Sequence, residues 1–260
     1  MRTFCYGSQS SQEGDLYLPS VLPCPILCLL HGGFWRMPYG RDELTLVAKD
    51  LASRGYAVWN VEYRRLGAPG GGWPGTFDDV ASAIDYLAIL EADGIDLDLK
   101  HVIVAGHSAG GQLALWIAAQ NKSGGAFART RVHPVAAVGL APISDLASGC
   151  RLGVGKGAVR EFLGGLPSLH PDRYAATSPI QLLPLGVNQL IIHGVRDEAL
   201  PVDLSRKYVE TARKSGDNIE FVELPDAGHM DFLDPTSKAY AAFCVWLNKE
   251  YGHAAEHAAS

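Results

Sequence analysis

The residues best placed to do chemistry are Gly106-His107-Ser108-Ala109-Gly110, a GxSxG pattern. The run HVIVA precedes it at 101–105, and an Ala/Leu-rich helical pattern follows. In that context the pattern reads as strand, sharp turn and helix, with the serine raised above the carboxyl edge of a sheet. Glycine on each side lets backbones approach closely. The N-terminus of the helix behind favours negative charge as it develops. The chemistry this suggests is attack by Ser108 Oγ on an acyl carbonyl.

A serine hydroxyl is a poor nucleophile without an adjacent base. Where a serine sits on such a turn, the base comes last in the chain, after the acid. His229, in LPDAGHMDF, satisfies that order; His193 and His31 are rivals that come too early. Asp197, in HGVRD after the apolar run LIIH, is the expected acid, with Glu198 beside it and Asp231 just past the histidine as alternatives. Its task would be to hold the imidazole tautomer and stabilise the imidazolium. A tetrahedral oxyanion needs two backbone N–H donors. One is expected from Ala109, the other from Gly33 or Phe34 in the loop HGGFW at 31–35. Trp35 and Trp73 are candidate walls of an acyl or leaving-group pocket. Arg64 and Arg65 could meet an anionic substrate or could be consumed in salt bridges.

Elements able to position these residues follow from periodicity. Apolar runs at 25–30, 56–61, 101–105, 135–140, 189–193 and 219–224 predict strands. Helical spacing predicts helices over 42–54, 77–91, 109–120, 202–215 and 235–250. Strand–helix alternation of this kind predicts an α/β fold with a mostly parallel central sheet flanked by helices. Residues 3–7 and 14–18 could add a short hairpin. The stretch 144–187 breaks the rhythm, being rich in Gly, Leu and Pro, and reads as a short cap over the site. Residues 1–260 read as one domain with that insertion, and the tail 252–260 as frayed.

Composition narrows the classes. The chain has 260 residues, is 47% hydrophobic and carries a net charge of -6. It lacks a Lys/Arg run of the kind that binds nucleic acid. The N-terminus has no basic-then-apolar signal pattern, and the apolar stretch 25–30 is too short to span a bilayer. A cytoplasmic location is the default expectation. Five cysteines do not suggest a disulfide framework, and Cys24 and Cys28 read as small buried hydrophobes. Neither HExxH nor a Walker loop occurs, so no metal or cofactor is expected.

Taken together, YGSQSSQEGDLYLP (6–19), HGGFW (31–35), VEYRR through GGWPGTFDDV (61–80), GHSAGGQLA (106–114), HGVRD (193–197) and AGHMDF (227–232) resemble α/β-hydrolases of the esterase/lipase group with an HGG-aromatic-Trp loop. Kynurenine formamidases (arylformamidases) and bacterial carboxylesterases share this pattern. The resemblance implies the α/β-hydrolase fold, a cofactor-free serine hydrolase and a triad at Ser108, Asp197 and His229. It implies a small ester substrate or, alternatively, a formamide such as N-formyl-kynurenine; a silent binding protein on the same fold is a third reading. No nucleic-acid or membrane partner is implied, and a homodimer is compatible with the sequence. Phe34 stands where the hormone-sensitive-lipase group usually has a third glycine. The cap matches no pattern that would choose between ester and formamide.

Overall fold

The computed structural model describes residues 1–120 and 130–252; the expected fraying of the last eight residues lies outside them. Eight strands form one sheet: β1 (Arg2–Cys5), β2 (Glu13–Tyr17), β3 (Ile26–Leu30), β4 (Ala57–Val61), β5 (Val102–His107), β6 (Ala136–Leu140), β7 (Asn188–Gly194) and β8 (Ile219–Leu224). Their spatial order is β1-β2-β4-β3-β5-β6-β7-β8. The first two strands are the expected hairpin, and β2 runs antiparallel to β4. Every pairing from β4 to β8 is parallel.

Both faces of the sheet are covered, which explains the continuous apolar runs of β3 to β6. Alternate side chains of β3 serve different cores. Ile26, Cys28 and Leu30 pack with Val80, Ile84, Leu113 and Ile117, from α2 (Gly75–Ala92) and α3 (Ala109–Ala119). Leu27 and Leu29 pack with Val47, Leu51, Phe243 and Leu247, from α1 (Thr45–Ser53) and α8 (Lys238–Tyr251).

The stretch read as a cap contains three short helices: α4 (Leu146–Arg151), α5 (Val154–Leu163) and α6 (Pro171–Thr177). Its periodicity is weak for a physical reason. The helices are brief, and Gly155, Lys156 and Gly157 all take left-handed φ values at the start of α5. The stretch is tied down from below. Gln112 Nε2 on α3 donates to the Thr177 carbonyl at 2.9 Å, and Trp116 Nε1 to that of Ala176 at 3.2 Å. The Arg36 guanidinium donates to the Gly155 carbonyl at 2.6 Å and pairs with Glu161 at 2.7 Å. The last helix before α8 is α7 (Asp203–Lys214). No helix among the described residues is long and apolar enough to cross a membrane.

Candidate active site

Strand β5 ends at His107, and α3 begins at Ala109, so Ser108 occupies the turn between them. Its backbone has φ 55° and ψ -116°, a left-handed conformation that a non-glycine residue holds only when its surroundings enforce it. Ser108 N–H donates to the Leu140 carbonyl at 2.8 Å, fixing the turn to β6. The flanking glycines are sterically required. A Cβ on Gly106 would overlap the Gly110 carbonyl, and one on Gly110 would overlap the Leu30 carbonyl. As the first residue of α3, Ala109 presents its N–H at the helix start, where no intrahelical acceptor exists. Ser108 is buried, 2% exposed.

His229 follows β8, and its Nδ1 lies 2.6 Å from Asp197 Oδ2. Its ring sits 4.6 Å from that of His107, the residue before Ser108, and its carbonyl accepts from His107 Nε2 at 2.8 Å. Burial holds His107 at about 3, well below the usual imidazole range, and the neighbouring His229 adds to the effect. That ring therefore stays neutral and serves as a donor. Asp197 follows β7. Burial opposes its charge, yet hydrogen bonds from His193 and His229 win and hold it well below the usual carboxylate range. Its other oxygen, Oδ1, accepts from Ala199 N–H and Leu200 N–H, each at 2.8 Å.

The two rival acids are placed elsewhere. Asp231 Oδ2 accepts from Gly228 N–H at 3.0 Å, stabilising the histidine loop, and Glu198 is exposed. The rival bases also have other tasks. His31 is fully buried: Nε2 lies 2.8 Å from Glu62 Oε1, and the ring stacks on Tyr63 at 4.2 Å. His193 lies under Asp197, with Nε2 3.2 Å from Oδ2.

The loop HGGFW continues from β3 and passes the turn at Ser108. A Cβ on Gly32 would sit 3.4 Å from Ser108 Cβ. Gly33, Phe34 and Trp35 have φ values of 89°, 55° and 55°, a left-handed run in which only the first residue is free of strain. Tyr39 packs on Gly33 where a side chain would stand. Phe34 is half-buried against Gly155 of the cap. Trp35 requires a correction: it has no exposed surface and so cannot line a pocket in this conformation. Its ring stacks on Phe162 at 4.3 Å, and its Nε1–H donates to Gln112 Oε1 at 3.1 Å. A large ring beside a left-handed turn finds its burial against Phe162 of α5. Trp73 is half-buried, edge-on to Phe77 at 5.7 Å, with the Arg173 guanidinium carbon 5.8 Å from its ring centroid.

Both arginines after β4 are consumed in ion pairs. Arg64 grips the fully buried Asp79 through Nε at 2.8 Å and Nη2 at 2.6 Å. Arg65 pairs with Glu62 at 3.2 Å. Glu62 was not singled out from the sequence, yet it binds four partners: His31, Arg65, and the N–H groups of Arg41 and Tyr63. Burial raises the pKa of this carboxylate, and its bond to His31 leads the contacts that lower it below the usual range. Among the described residues, no group of three His, Cys, Asp or Glu side chains is disposed to hold a metal. A cavity of about 750 Å³, lined by Leu18, Arg54, Tyr56 and Asn248 among others, lies at the opposite, amino-terminal edge of β3 and β4 and contains none of these residues.

The parallel sheet, the strained serine turn and the Asp197–His229 pair after the last two strands define an α/β-hydrolase fold. Within that fold the chain belongs to the BD-FAE family, whose model matches residues 15–211. It is 30% identical over 261 aligned residues to Esterase LipC of Mycobacterium tuberculosis, covering 93% of this chain and 64% of that protein. It is 24% identical to a probable isoprenylcysteine alpha-carbonyl methylesterase of Arabidopsis thaliana, covering 89% of this chain and 51% of the relative. The chain thus spans less than two thirds of either relative. In fold it is similar to butyrate-bound esterase Est2 of Thermogutta terrifontis, with TM-score 0.78, 19% identity, and coverage of 98% of this chain and 95% of that one.

Proposed function

We propose that the protein is a serine hydrolase that cleaves small carboxylic esters through an acyl-enzyme. The observation carrying this reading is the 2.6 Å Asp197–His229 bond, with His229 packed against the residue before Ser108. With Nδ1 committed to Asp197, Nε2 is the nitrogen that takes the Ser108 proton as Oγ attacks the acyl carbon. The N–H of Ala109 and a donor from the Gly33–Phe34 turn hold the oxyanion. His229 then gives its proton to the leaving alcohol, and water repeats the sequence on the acyl-enzyme. Asp197 stays ionised throughout and keeps the imidazolium oriented.

The esterase names of the relatives favour an ester over a formamide. Phe34 and the adjoining cap glycines leave a bulky ring beside the oxyanion turn, which favours short acyl groups. Each methylene that fits adds at most about 1–3 kcal/mol. Efficiency on p-nitrophenyl esters should therefore peak at or below about C4 and fall beyond about C6, whereas a rise through C12 would refute the short-acyl reading. A fluorophosphonate probe should label wild-type protein and not Ser108→Ala. Absence of labelling in both would favour a binding protein. Turnover of N-formyl-kynurenine far above that of p-nitrophenyl acetate would move the substrate to the formamide class.

A further inference from the structure

A second histidine, besides His229, lies against the proposed triad acid. His193 is the sixth residue of β7 and has no exposed surface. Its Nε2 lies 3.2 Å from Asp197 Oδ2 and 3.1 Å from the Leu200 carbonyl oxygen. Both neighbours are pure acceptors: an ionised carboxylate and a main-chain carbonyl. Nε2 therefore carries hydrogen. Nδ1 lies 2.7 Å from Ser205 Oγ, on the first turn of α7, and Ser205 is also fully buried. In the tautomer with hydrogen on Nε2 alone, Nδ1 accepts from the Ser205 hydroxyl. The chain of donors thus runs from Ser205 to His193 to the Leu200 carbonyl, and the same Nε2 lies 3.2 Å from Oδ2, which accepts from His229 Nδ1 at 2.6 Å.

We infer that His193 and Ser205 form a positioning pair for the triad acid, setting how much of the Asp197 charge and which carboxylate orientation are available to His229. The inference rests on the triad reading proposed above. Physically, the two oxygens of Asp197 are held in different ways. Oδ1 is pinned by the N–H groups of Ala199 and Leu200, which fixes the turn. Oδ2 accepts from His229 and lies 3.2 Å from His193 Nε2, whose N–H draws carboxylate charge that His229 would otherwise receive. A donor on Oδ2 makes the carboxylate a weaker base and lowers the pull on the His229 proton. The Ser205 hydroxyl strengthens that donor by polarising the imidazole from behind. His193 acts through Asp197 and touches no reacting atom.

Other titratable and charged groups face this pair. His107 lies across His229, and Glu223, opposite His193 in the β7–β8 register, is paired to Arg206 at 2.6 Å. These groups are unchanged in the variants below, so differences between variants report His193 itself.

The experiment compares wild type with His193→Leu, His193→Gln and Ser205→Ala in the full chain. It records kcat, KM and the pH profile of kcat/KM on p-nitrophenyl acetate. His193→Leu removes the donor from Oδ2. Its kcat should fall about tenfold or more because the acid is no longer held in place, while KM stays within about twofold. The acid limb of its profile should move up by about half a pH unit, since a fuller carboxylate charge favours protonated His229. His193→Gln returns an N–H at the same reach and should restore the acid limb to within a few tenths of a unit of wild type. Ser205→Ala should move the limb in the same direction as His193→Leu, by less. If His193→Leu folds and leaves both kcat and the limb unchanged, the inference is overturned. If His193→Leu does not fold, Ser205→Ala and His193→Gln decide, and an unmoved limb in Ser205→Ala overturns it. If wild type itself neither labels nor turns over, the triad reading has failed instead.

Discussion

Two loops converge on Ser108, and different forces hold them. The loop carrying Gly33 is fixed by buried charge: His31, Glu62 and Arg65 are 0%, 6% and 7% exposed and interlock with the Arg41 backbone. The loop carrying His229 is fixed on its inner side by Asp197 and His107 and on its outer side by the Asp231 carboxylate on Gly228 N–H, where Met230 is 57% exposed. A buried ion pair that loses one member leaves a stranded charge and costs about 3–5 kcal/mol. A bond at a partly wet loop costs far less, because water replaces the missing partner. Damage on the Gly33 side should therefore register in stability together with rate. Damage to the outer Asp231 bond on the His229 side should register in rate, with the fold nearly untouched.

The largest expected effect lies at the meeting point. Ser108→Ala should lower kcat by about a million-fold, the loss typical of a triad nucleophile. Thermal unfolding should stay within a few degrees of wild type. Turnover within tenfold of wild type would remove Ser108 from its role. Next is Asp197→Asn, expected to cost about ten-thousand-fold in kcat because the amide holds the imidazole in the wrong tautomer. Asp231→Asn, on the same loop system, should cost less than about tenfold, since it weakens one hydrogen bond to a loop N–H. If Asp231→Asn proved the more damaging, the acid would have to be reassigned.

Glu62→Gln tests the other loop. It should lower kcat about tenfold by loosening the oxyanion turn. It should also destabilise the fold by about 3 kcal/mol, or about 6 °C in Tm for a chain of this size. The charge of Glu62 stabilises the fold above the unfolded carboxyl value, because its folded pKa is lowered. The stability gap between wild type and variant should therefore close as pH falls below about 4. A variant with wild-type Tm at pH 7 would mean that the two loops are held alike after all.

Sequence and structure agree best where the determinants are local. GHSAG falls on a strand–helix turn because five adjacent residues and their flanking periodicity specify it. HGVRD and AGHMDF each follow a strand directly, so chain order places them at one edge. Glu62 was not legible. Its partners lie 31 residues upstream at His31 and on the Arg41 backbone, and no spacing rule ties a glutamate after β4 to a histidine after β3. Trp35 failed for a related reason. The pattern HGGFW marks a loop beside the serine, but the left-handed run at Gly33–Trp35 turns the indole against α5, and only the presence of Phe162 there reveals it. His193 was considered as a base and set aside on chain order; that it lies against Asp197 follows from the way β7 ends.

The smallest expected effect concerns His107, which ties the His229 loop to the turn at Ser108 by donating to the His229 carbonyl. An imidazole in the unfolded chain binds a proton near pH 6.5. In the fold, burial and the neighbouring His229 hold His107 down to about 3. Between those values the unfolded state binds more protons than the folded one, so stability falls as pH is lowered through this window. A single such group contributes about 1.4 kcal/mol per pH unit. His107→Gln removes the titration while keeping an N–H able to reach the carbonyl. Wild type should be the more stable at pH 7, and its advantage should shrink by about 2 kcal/mol on going to pH 5. All other groups are the same in both proteins and cancel in the difference. Unfolding measured by denaturant at pH 7, 6 and 5 checks this directly. A difference that stays constant across the three pH values would mean that His107 takes up its proton in the folded protein as readily as in the unfolded chain, and so does not remain the neutral donor tying the His229 loop to the turn at Ser108.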